Sequence, residues 1–384
     1  MGSESKSANA GFAATVRGTA NLASNLYREL AGAVDGNFVF SPLSLYSALA
    51  MTYAGARGKT EAEIGRVLSF PASRRFRAHD AVGSLIAKIE EVHAEGPTEF
   101  RVANMLWPQE SYPVLESFRS LLQKSYGAAI QTLDYRHVNE ARKQINQWVA
   151  EKTSGKINDI VGTGVLSADT RLVLTNAVYF KGNWVQQFSR DMTVKGPFWV
   201  TRHRSIQIPM MNQTAEVGYF EQDDLKVLEL PYAGSLSMIL ALPSERDGLS
   251  KLEQGLSNKL RRLAEMVVPR RVRISMPSFR VESKFSMRNN LKAMGMGDAF
   301  DSHKANFSGI DGKESQLYLN DVLQNAFIDV NEEGTEAAAS TVPIVQTRLV
   351  SMPLSFSADH PFMFCVRDRN TGNICFLGRF IVPK

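Results

Sequence analysis

Apolar positions along the chain change period more than once. At Phe12, Val16, Ala20, Ala23, Leu26, Tyr27 and Leu30 they recur at roughly helical spacing with polar residues between, which predicts an amphipathic helix. After a turn containing Gly36, Asn37-Phe38-Val39-Phe40 reads as a short apolar strand. Ser41-Pro42 then opens a helix through Leu49 to about Tyr53, with Pro42 suited to the first turn. Helical spacing also covers 59–68, 79–92 and 138–153, the last with Ile145, Trp148 and Val149 on its apolar side and Gly155 as its stop. The period then changes: 172–180 is a continuous apolar run, the pattern of a central strand buried on both faces. Segments at 193–200, 215–220, 226–230 and 237–241 are short and rich in β-formers, and 249–266 is helical again. Strand or helix–strand patterns return at 271–276 and 317–330, and 362–367 with 375–380 predicts a hairpin turning at 368–372. No repeat and no low-complexity linker divides the chain, so one α+β domain over residues 1–384 is expected.

Composition narrows the class. With 44% hydrophobic and 22% charged residues over 384 positions, the chain can bury a large core and is neither disordered nor fibrous. A net charge of +5 is too small to assign an acidic partner. Two cysteines, Cys365 and Cys375, cannot make a disulfide framework, and whether they are bonded or simply buried stays open at this level. No run of 18 apolar residues predicts a membrane span, and the first residues lack the basic-then-apolar order of a secretory signal. Asn212-Gln213-Thr214 and Asn306-Phe307-Ser308 are glycosylation-type triplets at Asn212 and Asn306, so an extracellular location is favoured, with a cytoplasmic one as the alternative.

Enzyme signatures are sparse. There is no phosphate loop, no HExxH and no paired-cysteine metal pattern, and the six histidines are scattered without a helical metal pair, so no metal is expected. Gly295-Met296-Gly297 neither follows a clear strand nor completes a dinucleotide fingerprint. Catalysis is therefore the weaker class. The densest basic region is Lys259, Arg261, Arg262, Arg270, Arg271 and Arg273, relieved only by Glu265. It reads either as a solvated face or as a docking patch for a heparin-like glycosaminoglycan. Nucleic-acid binding is not expected, because aromatic residues do not interleave with these charges.

The segment 332–353, EEGTEAAASTVPIVQTRLVSMP, needs separate attention. Alanine and glutamate favour helix, yet an extended chain would place Thr335, Ala337, Ala339 and Thr341 on one face and Glu336, Ala338 and Ser340 on the other. The first set is small throughout, as insertion between existing strands requires. Composition alone does not choose between these states.

Several separated motifs occur in an order that resembles the serpin family across essentially the whole chain. They are Asn37-Phe38-Val39-Phe40-Ser41-Pro42-Leu43-Ser44, Asn176-Ala177-Val178-Tyr179-Phe180-Lys181-Gly182-Asn183-Trp184, and the hinge-like Glu332-Glu333-Gly334-Thr335-Glu336-Ala337-Ala338-Ala339. Asp359-His360-Pro361-Phe362-Met363-Phe364 and the closing Phe376-Leu377-Gly378-Arg379-Phe380 complete the set. The resemblance implies an α+β serpin fold: three β-sheets, eight or nine helices and an exposed reactive-centre loop. It implies a monomeric, non-enzymatic inhibitor that needs no cofactor. A serine protease attacks the loop, and insertion of the hinge residues Glu332–Thr341 (including Ser340) into the main sheet traps the acyl-enzyme.

By the same resemblance, Arg348 precedes the scissile bond and Leu349 follows it. Arginine there suits a pocket with an acidic base, which points to a trypsin-like protease; cleavage after Val345 by an elastase-like enzyme is the minor alternative. Gly334 would let the chain turn into the sheet, large or charged residues at Thr335, Ala337 or Ala339 would slow entry, and Pro343 would omit one ladder bond. Ser41, Ser44 and Asn176 match polar residues where the strands must part, and Trp184 matches an aromatic cover at the entry point. Gln324 stands where the family often has histidine, which removes a pH-dependent charge. The runner-up is a non-inhibitory carrier or chaperone of the same family, whose members commonly lose the hinge pattern retained here.

Overall fold

The computed structural model describes residues 2–70, 75–92, 98–127, 129–255, 262–313, 317–335 and 352–383. Six helices carry most of its first part: α1 (Gly2–Ala33), α2 (Pro42–Gly55), α3 (Gly58–Val67), α4 (Arg75–Val92), α5 (Glu116–Tyr126) and α6 (Val138–Lys152). Helix α2 has no polar stripe, and every one of its residues is buried. A helix apolar all round belongs inside, and α2 packs against strands of both sheets described next. Ser41 starts it as N-cap, its Oγ accepting from the Ser44 N–H, with Pro42 in the first turn.

The larger sheet runs β1 (Phe38–Phe40), β15 (Ile374–Phe380), β14 (Phe362–Asp368), β8 (Leu236–Pro243), β7 (Leu225–Pro231), β6 (Arg204–Gln222), β9 (Val268–Pro277) and β13 (Leu354–Ser357), with β5 (Val194–Thr201) also paired to β6. The second sheet has the order β10 (Phe279–Ser286), β11 (Leu319–Val330), β12 (Gly334–Thr335), β4 (Leu172–Asn183), β2 (Thr98–Pro108) and β3 (Ala129–Ile130). The long strand β6 joins what would otherwise be two sheets, so three expected sheets form two hydrogen-bonded networks among the described residues. Between the networks lies the main core. A smaller one, with Trp107, Tyr135, Ile145, Val149, Ala177 and Leu323, sits between the second sheet and α6.

The apolar run at 172–180 is the central strand β4, as its pattern requires, and the final hairpin forms as β14 and β15. Several elements were not visible in the pattern. Strand β2 is covered on both faces, so its apolar residues do not alternate cleanly with polar ones. Helix α5 buries only Phe118 and Leu122, too thin a stripe to read. The expected helix at 249–266 is not continuous: one helix spans Leu249–Gln254 and ends at Gly255, and 262–266 is also helical. Cys365 and Cys375 are both free and buried, and the cross-strand partner of Cys365 is Leu377, not Cys375.

Candidate functional site

At the centre of the second sheet β4 and β11 pair in parallel, from Leu319 opposite Leu172 to Ala326 opposite Val178. Gln324 stands opposite Asn176, and these two anchor a buried polar row. Gln324 Nε2 donates to Asn176 Oδ1 at 2.5 Å and to the Ser41 carbonyl at 3.0 Å, while its Oε1 accepts from the Ser41 N–H at 3.2 Å. Asn176 Nδ2 donates to Ser44 Oγ and Asn104 Oδ1, and Asn104 Nδ2 reaches Ser47 Oγ at 3.1 Å. The row links both strands, β2 and the first turns of α2. No member titrates, so its hydrogen bonds persist unchanged across neutral and mildly acidic pH.

Above Val178 the two strands diverge, and Gly334–Thr335 of β12 fills the gap. Thr335 is antiparallel to both neighbours, opposite Val330 on one side and Gly182 on the other, and Gly334 is opposite Asn183. Gly334 adopts φ +148°, and a Cβ there would lie 2.0 Å from the Gly182 carbonyl oxygen and 2.7 Å from Asn183 Cα. Only glycine fits that approach.

Thr335 is fully buried, and its hydroxyl lies 2.9 Å from that of Tyr232. Tyr232 in turn stacks on Trp184 with ring centroids 4.2 Å apart and planes 14° from parallel. Burial pushes the Tyr232 phenol far above its ordinary value, and the bond to Thr335 partly offsets this, so the hydroxyl stays neutral. Trp184 also holds the turn before β12: Nε1 donates to the Asn331 carbonyl at 3.0 Å and its N–H to the Glu333 carbonyl at 2.9 Å. It therefore both packs on Tyr232 and fixes the turn ahead of Gly334.

The two glutamates ahead of Gly334 are also held. Thr193 Oγ1 donates to Glu332 at 2.7 Å, Arg190 pairs with Glu333 at 2.5 Å, and Asn331 Oδ1 accepts from the N–H groups of Glu333 and Gly334. Arg190 is largely exposed, so its ion pair contributes modestly. Tyr232, Asn104, Arg190, Thr193 and Asn331 were missed by sequence reasoning, because each acts across the fold and none belongs to a local motif. The turn Pro231-Tyr232-Ala233-Gly234, ending one strand beside the hinge, was the available signal for Tyr232.

The structure does not unite the remaining candidates. Glu336, Ala337, Ala338, Ala339, Ser340, Thr341, Arg348 and Leu349 lie outside the described residues, as do Lys259 and Arg261. Arg262, Arg270, Arg271 and Arg273 are exposed. Along β9, however, Arg271 and Arg273 share one face and Arg270 takes the other, and Arg271 stands opposite Glu216. Asn212 is within β6, its Nδ2 donating to the Met192 and Met210 carbonyls at 3.0 and 2.9 Å. Asn306 Oδ1 accepts from the Ser308 N–H and hydroxyl. Among the described residues no group of three His, Cys, Asp or Glu side chains is placed to hold a metal, and no helix is long and apolar enough to cross a membrane.

Comparison with known proteins agrees with this geometry. The family model described as Serpin (serine protease inhibitor) matches residues 17–383. The chain is 38% identical to the leukocyte elastase inhibitor of Homo sapiens over 361 residues, covering 91% of this chain and 93% of that protein. Its fold superposes on Serpin48 of Tenebrio molitor, described as a highly specific serpin, with a TM-score of 0.88 and 31% identity, covering 96% of this chain and 98% of the other. It also matches human thyroxine-binding globulin complexed with thyroxine, with a TM-score of 0.87 and 26% identity over 97% and 98% of the two chains.

Proposed function

The chain belongs to the serpin family, whose model is described as that of serine protease inhibitors, and from that premise we propose that it is a suicide-substrate inhibitor of trypsin-like serine proteases. The observation that carries this reading is the seat of Gly334 and Thr335 between β4 and β11, in the antiparallel sense that a longer inserted strand would continue.

In the proposed reaction the protease serine oxygen attacks the Arg348 carbonyl carbon. The peptide bond to Leu349 breaks, the Leu349 amine takes a proton and leaves, and Arg348 is held as an ester of the protease. The chain before Arg348 is then free at one end and zips downward from Thr335. Extending the observed register puts Ala337 opposite Phe180 and Ile328, Ala339 opposite Val178 and Ala326, and Thr341 between Asn176 and Gln324. The first two bring no bulk to the core, and Thr341 brings a hydroxyl to the polar row.

Insertion exchanges the parallel β4–β11 pair for antiparallel ladders on both sides, and antiparallel pairing is slightly more stable per residue. Each net hydrogen bond gained contributes about 0.5–1.5 kcal/mol, so a run of several outweighs the one omitted at Pro343. The uncleaved chain is therefore held in the less stable arrangement until the loop is cut. Arg262, Arg271 and Arg273 form the candidate contact for a sulfated polysaccharide in this reading, and the working protein is an extracellular monomer.

Incubation with trypsin followed by a denaturing gel tests the proposal. An SDS-stable complex that disappears in Arg348→Ala supports it. Clean cleavage without a complex supports the carrier or chaperone reading and defeats the inhibitory one. Inhibition rates with and without heparin, repeated in an Arg271→Ala/Arg273→Ala variant, test the polyanion contact; equal rates in all four conditions remove it.

A further inference from the structure

Among the described residues two buried asparagines, Asn325 and Asn373, have neither their carboxamide oxygen nor their nitrogen hydrogen-bonded. Asn373 occupies the turn of the final hairpin, whereas Asn325 is fully buried in the middle of β11, between β10 and β4. Its flanking partners are Lys284, which makes no bond to it, and Ala177, which has no polar side chain. Asn325 lies two positions from Leu323 and so faces the smaller core under α6. A carboxamide enclosed without partners costs its full desolvation, and an apolar side chain of the same size would be tolerated better there.

The register of β12 says what could reach it. Thr335 is opposite Val330 and Gly182. Five residues further along an uninterrupted antiparallel strand, Ser340 falls opposite Asn325 on one edge and Ala177 on the other. Both edges agree, because the closed sheet already pairs Asn325 with Ala177. Directly opposed residues of an antiparallel pair point to the same face with Cβ atoms about 4.5–5.5 Å apart, within reach of a serine-to-carboxamide hydrogen bond. The next residue, Thr341, points to the opposite face, where Asn176 and Gln324 are already engaged.

We propose that Asn325 is a positioning residue for the inserting loop, unsatisfied in the closed sheet and paired with Ser340 once the strand has entered. This rests on the insertion reading above. The unpaired carboxamide disfavours the closed state, and the new bond favours the inserted one, so a single side chain biases the exchange in both directions. It acts midway down the strand, where insertion must outrun hydrolysis of the acyl-enzyme.

A double-mutant cycle with Asn325→Leu, Ser340→Ala and the pair, in uncleaved and Arg348-cleaved protein, tests this. In the uncleaved protein Asn325→Leu should raise the thermal midpoint by about 1–4 °C. Ser340→Ala should leave it unchanged, and the two effects should simply add. In the cleaved protein each single substitution should lower the guanidinium midpoint, with the double variant no worse than either single one. The inhibitor molecules consumed per trypsin trapped should rise about threefold to tenfold in Asn325→Leu. Additivity in the cleaved form, or a lowered midpoint for uncleaved Asn325→Leu, overturns the proposal. Should Asn325→Leu not fold, Asn325→Val takes its place in the cycle. Wild-type protein separates the two levels: no gain in heat resistance on cleavage defeats insertion itself and this pairing with it. A normal gain with an additive cycle defeats the pairing alone.

Discussion

Replacing Thr335 with arginine puts the greatest load on the entry point. Thr335 is fully buried, and its hydroxyl meets that of Tyr232 at 2.9 Å. Arginine there would leave the Tyr232 hydroxyl without its partner, a loss of about 1 kcal/mol. It would also bring a guanidinium into a buried site, and the glutamates just ahead of it in the chain, Glu332 and Glu333, are already engaged by Thr193 and Arg190. An unpaired buried charge costs several kcal/mol even after relaxation. Arginine is therefore expelled from the seat in the uncleaved protein, and its re-entry carries a combined penalty of roughly 3–4 kcal/mol, which at 1.4 kcal/mol per factor of ten slows insertion by about a hundredfold to a thousandfold. Hydrolysis of the acyl-enzyme does not depend on this site, so partitioning should move almost wholly to cleaved, released protein. The assay is trypsin titration with a denaturing gel: Thr335→Arg should be cut at the wild-type rate, show little covalent complex and leave trypsin active. Thr335→Val keeps the shape and loses only the hydroxyl, and its deficit should stay within about tenfold. If Thr335→Arg trapped trypsin as efficiently as wild type, insertion through this seat would be refuted.

Gly334→Ala should behave similarly for a different reason: its Cβ would lie 2.0 Å from a backbone oxygen, so the hinge leaves its seat and complex yield falls while the rest of the fold melts normally. Gln324→His should make thermal stability pH-dependent where wild type is flat. Burial lowers the histidine pKa below its unfolded value of about 6.5, so stability is full above that pH and lost as pH falls below it, seen as a midpoint that drops between pH 7 and 5. Burial pushes the Cys365 thiol up to about 12 and raises Cys375 well above its ordinary value. Both should therefore resist iodoacetamide at pH 8 until the protein unfolds; because unfolded thiols ionise from about pH 8.5, stability should fall as pH rises from there toward 12. Rapid labelling of either cysteine in folded protein would contradict this.

The glycine and the small residues after it were legible because the pattern is local and resembles the family's hinge. Of that pattern the structure describes Gly334 at a close backbone approach and Thr335 buried between β4 and β11. Ser41 was legible for the same reason, as a cap immediately ahead of Pro42. Strand β2 and helix α5 were not, since one is covered on both faces and the other buries two side chains. In the basic run the sequence order hides the faces: Arg270 separates from Arg271 and Arg273 once 268–277 becomes a strand.

Local chemistry thus determined the periodic core helices, the central apolar strand, the cap at Ser41 and the glycine at the hinge, because each depends on neighbours a few residues away. Tertiary structure decided what those parts confront. It set Gln324 against Asn176 across 148 positions, brought Tyr232 under Thr335, and left Asn325 enclosed beside an alanine. A strand's register is settled by the strands on either side of it, and those come from distant parts of the chain.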